Sequence, residues 1–301
     1  MHFSLAVIGD IHGCWSITDA KLLEGLGVDL ALFVGDFGNE AVDIVAAIAQ
    51  LSLPIAVAFG NHDAWYSASS WGRKKCPYDR QREDRVQQQL DLVGSAHVGY
   101  GWLGCEALGF AVVGGRPFSW GGPHWQHRQF LRQRFGVESF QQSSDRIVQS
   151  ALDSSFDQLI FLSHNGPTGL GDRPDDPCGR DWMPLGGDFG DPDLAMAITA
   201  LKAQGKTIPL VAFGHMHHRL RHRRDRQRTR LCCRDQTLYL NAALSPRIMP
   251  SPVGSWHGFT LVEFLDGAIA CVDICWLNPL TNQEKKENLY SGMPETNTWE
   301  K

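Results

Sequence analysis

The chain has 301 residues, 43% of them hydrophobic and 20% charged, with a formal net charge of −5. That is enough apolar material for one full core, and the mild acidity excludes a protein that coats nucleic acid through its overall field. No stretch approaches the ~18 uninterrupted apolar residues of a membrane span, MHFSLAVIGD leaves no room for a leader, and the eight cysteines form no CxxC pair, so a reduced, cytoplasmic protein is expected.

In chain order, short apolar runs alternate with turns rich in Gly, Asp, Asn and His. LAVI (5–8) precedes GDIHG, with Asp10 and His12, and LALFV (30–34) precedes GDFGNE, with Asp36. VDIVAAIAQL has helical spacing and stops before Pro54, which opens PIAVAF (54–59) and then GNHD, with Asn61, His62 and Asp63. Residues 64–89 are polar with scattered aromatics and predict a cap-like excursion and a helix. FAVVGG (110–115) reads as a strand with a glycine end, continued by a loop that carries Arg116. SSDRIVQSALDSS has an N-cap serine and apolar residues at Ile147, Val148, Ala151 and Leu152, the pattern of a helix laid on a sheet. LIFL (159–162) precedes SHNGP, with His164, and the Gly-, Pro- and Asp-rich segment 171–194 is too long for a simple connector and is expected to overhang a pocket. PDLAMAITALKAQG predicts a helix stopped at Gly205, followed by PLVAF (209–213) and GHMHH, with His215 and His217. Arg219–Arg230 holds seven arginines, several at alternate positions, and predicts a projecting hairpin. QTLYLNAAL, GFTLVEF and GAIACVDICWL read as antiparallel strands with a turn at Asp266 and Gly267. One domain over 1–280 and a polar, extended tail over 281–301 are expected.

Five of these apolar runs end on residues that ligate metals. Strands buried on both faces read as such runs, and open α/β sheets bind ligands at the carboxyl ends of their strands. Gly9, Gly35, Gly60 and Gly214 are read as permitting a tight turn where each strand stops. Asp10, His12, Asp36, Asn61, His164, His215 and His217 offer carboxylate, amide and imidazole donors, a set that suits Mn²⁺ first, and Fe or Zn²⁺, better than Ca²⁺ or Mg²⁺. Seven donors exceed what one tetrahedral ion takes, so two divalent ions sharing a carboxylate are expected.

The order D-x-H, GD, GNH plus an acid, H, then GHxH resembles the calcineurin-like metallophosphoesterase superfamily over Asp10 to His217. The resemblance implies an α/β fold of two facing mixed β-sheets flanked by helices, a four-layer αββα sandwich. It implies that Asp10, His12 and His217 hold one metal, that Asn61, His164 and His215 hold the other, and that Asp36 bridges them. It also implies a catalytic pair in which His62 faces substrate and acts as acid while Asp63 holds it in place. A hydroxide bridging the metals would be the nucleophile. GDFGNE lacks the DRG extension of the serine/threonine protein phosphatases, which argues against a phosphoprotein substrate.

The leading expectation is hydrolysis of a small, nucleotide-like phosphomonoester or phosphodiester, with no membrane partner and no signature of oligomeric state. Arg116 at a strand end is the candidate substrate-binding residue. A nuclease, using Arg219–Arg230 as a basic wall, is the second reading, and a non-enzymatic scaffold the third. His218 is read as a surface residue, because adjacent side chains alternate, and His124 and His127 lack the acidic neighbours of a metal site. Cys14 directly follows the DIHG loop and is expected near the metals, and its neighbour Trp15 is read as a pocket wall.

Overall fold

The computed structural model describes residues 1–292. Strands and helices alternate at first: β1 (His2–Ile8), α1 (Ile17–Gly25), β2 (Leu30–Phe33), α2 (Val42–Ala49) and β3 (Ile55–Val57). A helical excursion follows, α3 (Trp65–Ala68), α4 (Ser70–Lys75) and α5 (Arg85–Val93). Next come β4 (Trp102–Cys105), β5 (Phe110–Gly114), α6 (Arg128–Phe135), α7 (Phe140–Asp153), β6 (Gln158–Leu162), α8 (Pro192–Ala203) and β7 (Thr207–Phe213). The C-terminal part contributes strands: β8 (Leu231–Arg234), β9 (Thr237–Asn241), β10 (Ile248–Pro250), β11 (Ser255–Leu265), β12 (Ala268–Asn278) and β13 (Gln283–Ser291).

These strands form two mixed sheets. One runs β13-β12-β11-β1-β2-β3, with β10 paired to β11, and the other runs β4-β5-β6-β7-β9-β8. Leu5, Val7 and Leu32 of the first sheet meet Val112, Ile160 and Leu210 of the second in a shared core. The alternate residues point outward, Ala6, Ile8 and Phe33 onto Leu23 of α1 and Val45 and Ile48 of α2. On the far side, Val113, Phe161 and Val211 pack on Ile147 of α7 and Leu194 of α8. Each central strand therefore has two apolar faces, which is why the sequence shows unbroken apolar runs instead of alternation. The result is the expected αββα sandwich, in which burying each large apolar side chain contributes about 1.5–3 kcal/mol.

Three local expectations are corrected. The helix expected to start at Ser143 begins one turn earlier, with Ser139 accepting the Gln142 N–H at 3.3 Å. Ser143 lies inside that helix and bonds to Tyr100. The tail expected over 281–301 contains β13, which pairs with β12 from Asn278↔Gln283 to Cys271↔Ser291, so 280 is no boundary of the packed structure. Leu289 and Tyr290 pack on the shared core while Glu284, Lys285, Lys286 and Glu287 face water. A charged composition that reads as disorder is also that of an edge strand protected against further pairing. Residues 293–301 lie outside the described residues. Trp15 is buried between Phe33 and Arg247 instead of walling a pocket. The Asp266–Gly267 turn joins β11 and β12 as expected, and among the described residues no helix is long and apolar enough to cross a membrane.

Candidate metal centre

The five segments meet where β1, β2 and β3 of one sheet and β6 and β7 of the other come to their C-terminal ends. His12 Nε2 lies 3.0 Å from His217 Nε2 and 3.8 Å from a carboxylate oxygen of both Asp10 and Asp36. His164 Nε2 lies 2.9 Å from Asn61 Oδ1, 3.1 Å from His215 Nδ1 and 3.4 Å from Asp36 Oδ1. Three donor groups result, Asp10 with His12 and His217, Asp36 with His164 and His215, and Asp36 with His12 and His62, each within 4.8 Å. Asp36 belongs to two of them. The arrangement brings together all seven residues expected as ligands.

The donors fit cations. Asp10 Oδ1 is buried and has no hydrogen-bond partner. His164 Nδ1 is engaged by the Val34 carbonyl at 2.8 Å, which directs Nε2 into the cluster, the way a second partner orients an imidazole ligand. Against its burial, the neighbouring His12 and His217 imidazoles hold Asp10 well below the usual carboxylate range. Burial pushes His215 down to about 3, so its ring is neutral and free to ligate. His12 moves the other way, raised against burial by the nearby carboxylates of Asp10 and Asp36.

Of the four glycines read as turn-permitting, Gly35 takes a positive φ of 94° as expected, whereas Gly9, Gly60 and Gly214 do not. Left-handed conformations fall on the donors themselves, with φ of 52° at Asp10, 45° at His12, 56° at Asp36 and 70° at His215. Non-glycine residues hold such angles only where the surroundings impose them, a pattern typical of functional sites. Gly60 is needed for closeness: a Cβ there would sit 2.3 Å from Asp36 Oδ1 and 2.5 Å from the His164 ring.

Other expected residues are placed differently. Asp63 does not touch the His62 ring; its carboxylate accepts the N–H groups of Asp36, Phe37 and Gly60 at 2.7–2.9 Å, tying two donor loops together. The His62 Nδ1 instead meets Asn39 Oδ1 at 2.6 Å. Arg116 is 3% exposed and spent on Asp191 and Asp193 at 2.7 and 2.9 Å, so it is no substrate ligand. Its strand-end position put it beside the buried start of α8. His218 is buried, not on the surface, with Nε2 on the Asn241 carbonyl at 2.8 Å. The Arg219–Arg230 stretch forms one isolated bridge, Arg219↔Gln227, in place of a hairpin of strands. Arg228 is buried against the carbonyls of Pro174, Asp176 and Gly179. Arg223, Arg226 and Arg230 pair with Asp225, Asp175 and Glu287.

A cavity of about 350 Å³ opens over the donors. Segment 171–194 overhangs it as expected, through Asp181, Trp182 and Phe189. Sequence reasoning missed the opposite wall. The His62 and Trp65 rings stack at 4.5 Å and 13°, and Trp65 and Trp120 at 5.2 Å and 14°. Residues three apart share a helical face, so His62 and Trp65, on a continuous helical turn, carried a readable signal. Arg219 and Arg221 complete the rim, the latter over the Trp182 ring at 5.5 Å.

The calcineurin-like phosphoesterase sequence pattern matches residues 3–219. No curated protein matches the sequence significantly. One solved structure is 12% identical, covering 96% of this chain and 100% of its own with a TM-score of 0.52, a likeness of fold alone. A dimetal phosphatase from Danio rerio is 12% identical over 96% of this chain and 99% of its own, with a TM-score of 0.45. An archaeal phosphodiesterase is 10% identical over 95% and 99%, with a TM-score of 0.31. The matched span contains all five donor segments and the strands that bring them together. The chain therefore belongs to the calcineurin-like phosphoesterase family: it is a metal-dependent phosphoesterase built around a dinuclear divalent-metal site.

Proposed function

We propose that the chain hydrolyses a small, nucleotide-like phosphomonoester or phosphodiester. The observation that carries this reading is that the donor cluster floors a cavity of about 350 Å³ walled by Trp65, Trp120, Trp182 and Phe189. That space suits a small molecule, aromatic walls suit a planar base, and Arg219 and Arg221 at the rim suit a further anionic group.

Asp10, His12 and His217 would hold one ion, Asn61, His164 and His215 the other, and Asp36 both, with Mn²⁺ the first choice and Fe or Zn²⁺ the alternatives for this donor set. When bound, two such ions acidify water near neutral pH and offset charge on phosphoryl oxygens. Asn39 engages Nδ1 of His62 and leaves Nε2 for substrate. Protonated on both nitrogens, His62 gives the Nε2 proton to the leaving alkoxide. Asp63 acts one step away, by fixing the loops of Asp36 and Asn61.

The nuclease reading is weaker, because four of the seven arginines expected to form a basic wall are buried or paired with carboxylates. A cytoplasmic location remains part of this proposal. The test compares p-nitrophenyl phosphate with bis-p-nitrophenyl phosphate on Mn²⁺-loaded protein. Turnover of either that vanishes in Asp36→Asn is expected and the faster ester names the preference; turnover that survives in Asp36→Asn, or none in wild type, overturns the assignment.

A further inference from the structure

The aromatic wall has a second side. Trp120, which lines the metal-bearing cavity, lies 4.8 Å from the His127 ring, and His127 lines a separate cavity of about 520 Å³. Four arginines reach this second space, Arg73 and Arg80 from the excursion after His62, and Arg128 and Arg134 from α6, with Ser67 and Ser70 beside them. None of the described residues that line it is acidic. Asp84 neutralises Arg134 at the rim, but among the described residues Arg73, Arg80 and Arg128 form no ion pair.

Two features prepare the space for an anion. The Arg73 guanidinium is fixed by the carbonyls of Ser67 and Ala68 at 3.1 and 3.4 Å, so little freedom is lost when it binds. The first turn of α6 has no side-chain cap, and its N–H groups and positive dipole end belong to Arg128 and Gln129, which line the cavity. Three unpaired guanidinium groups on one concavity repel one another, in a chain whose net charge is −5. An oxyanion removes that repulsion and accepts their charge-assisted hydrogen bonds.

We propose that this cavity is a binding site for a phosphate-class oxyanion, held by Arg73, Arg80 and Arg128. The anion has two sources: free inorganic phosphate, or the distal phosphate of a substrate that extends past Trp120 and His127. The site stands whether or not the neighbouring centre hydrolyses phosphoesters, so binding is measured directly.

Titration calorimetry of the full, Mn²⁺-loaded chain with inorganic phosphate should show two classes of site. Arg73→Gln, Arg80→Gln and Arg128→Gln combined should weaken one class by at least about tenfold, and Asp36→Asn should remove the other. These arginines are exposed, and a thermal melt checks that the triple variant folds; Arg128→Gln alone, with a smaller loss, serves if it does not. A raised KM of Arg128→Gln for a nucleoside 3′,5′-bisphosphate but not for p-nitrophenyl phosphate assigns the site to a substrate's distal group. Unchanged KM for both, with the binding class lost, assigns it to free phosphate. Wild-type phosphate binding retained in the arginine variants overturns the proposal.

Discussion

The contact between His62 and Asn39 sets one side chain against a neutral amide where a carboxylate would have stabilised the imidazolium. Burial lowers the His62 pKa, and the amide does nothing to restore it. Asn39→Leu should therefore reduce kcat by about 10–100-fold, the usual cost of losing an orienting partner, with metal content unchanged. His62→Asn should cost about 10²–10⁴-fold. Steady-state kinetics and metal analysis check both, and wild-type kcat in either variant would remove that residue from the mechanism. Gly60→Ala should lose metal, since its new methyl would meet Asp36 and His164; two ions per chain in that variant would contradict the close-packing account. At this scale the sequence was informative about donors and silent about their supports. Aspartates and histidines at strand ends announce themselves, whereas Asn39, three residues past Asp36, looks like any loop asparagine until His62 folds over it.

Among the elements, the clearest case of long-range dependence is the start of α8. Asp191 and Asp193, buried in its first turn and cap, are matched by Arg116 at the end of β5 and, for Asp191, by the Ser119 hydroxyl at 2.6 Å. Breaking a buried pair by removing one partner costs about 3–5 kcal/mol. Arg116→Met should lower the urea midpoint accordingly, and a triple variant that also replaces Asp191 and Asp193 with Asn should recover part of the loss. An Arg116→Met protein as stable as wild type would mean that the charges are relieved in another way. The strands and most helices were legible because their apolar spacing is local. Arg116 was misread because its partners lie 75 and 77 residues away, and β13 because an edge strand and a disordered tail share one composition.

For the molecule as a whole, acidity and metal are the two stresses with a stated sign. His97 is half-buried beside Phe59, with its Nε2 buried and unpartnered, and desolvation pushes its pKa down from 6.5 to about 4. Above pH 6.5 the ring is neutral folded or unfolded, and its contribution is intact. Between 6.5 and about 4 the unfolded chain takes up a proton that the native chain refuses, so stability falls as pH falls. The loss reaches at most about 3 kcal/mol. His97→Phe should flatten that part of the stability profile, and an unaltered slope would point to other groups. Chelation should lower the melting temperature, because an ion that binds only the native chain stabilises it by about 4 kcal/mol at 1,000 times its Kd.

The pairing of β1 with β11, which runs from His2↔Leu265 to Val7↔Thr260, also has a consequence for synthesis. A ribosome adding about 5–20 residues per second needs on the order of tens of seconds to travel from one strand to the other. During that interval the nascent chain has already displayed β1, β2 and β3, with Asp10, Asp36 and Asn61 at their ends, while one flank of β1 still waits for its neighbour. β5, β6, β7 and β9, which pair with one another in the second sheet, are all translated within that wait. The strands that carry Asp10, Asp36 and Asn61 are thus translated first, yet the flank of β1 is covered only near the end, and nascent chains that stall before residue 255 are the ones that should depend on chaperones.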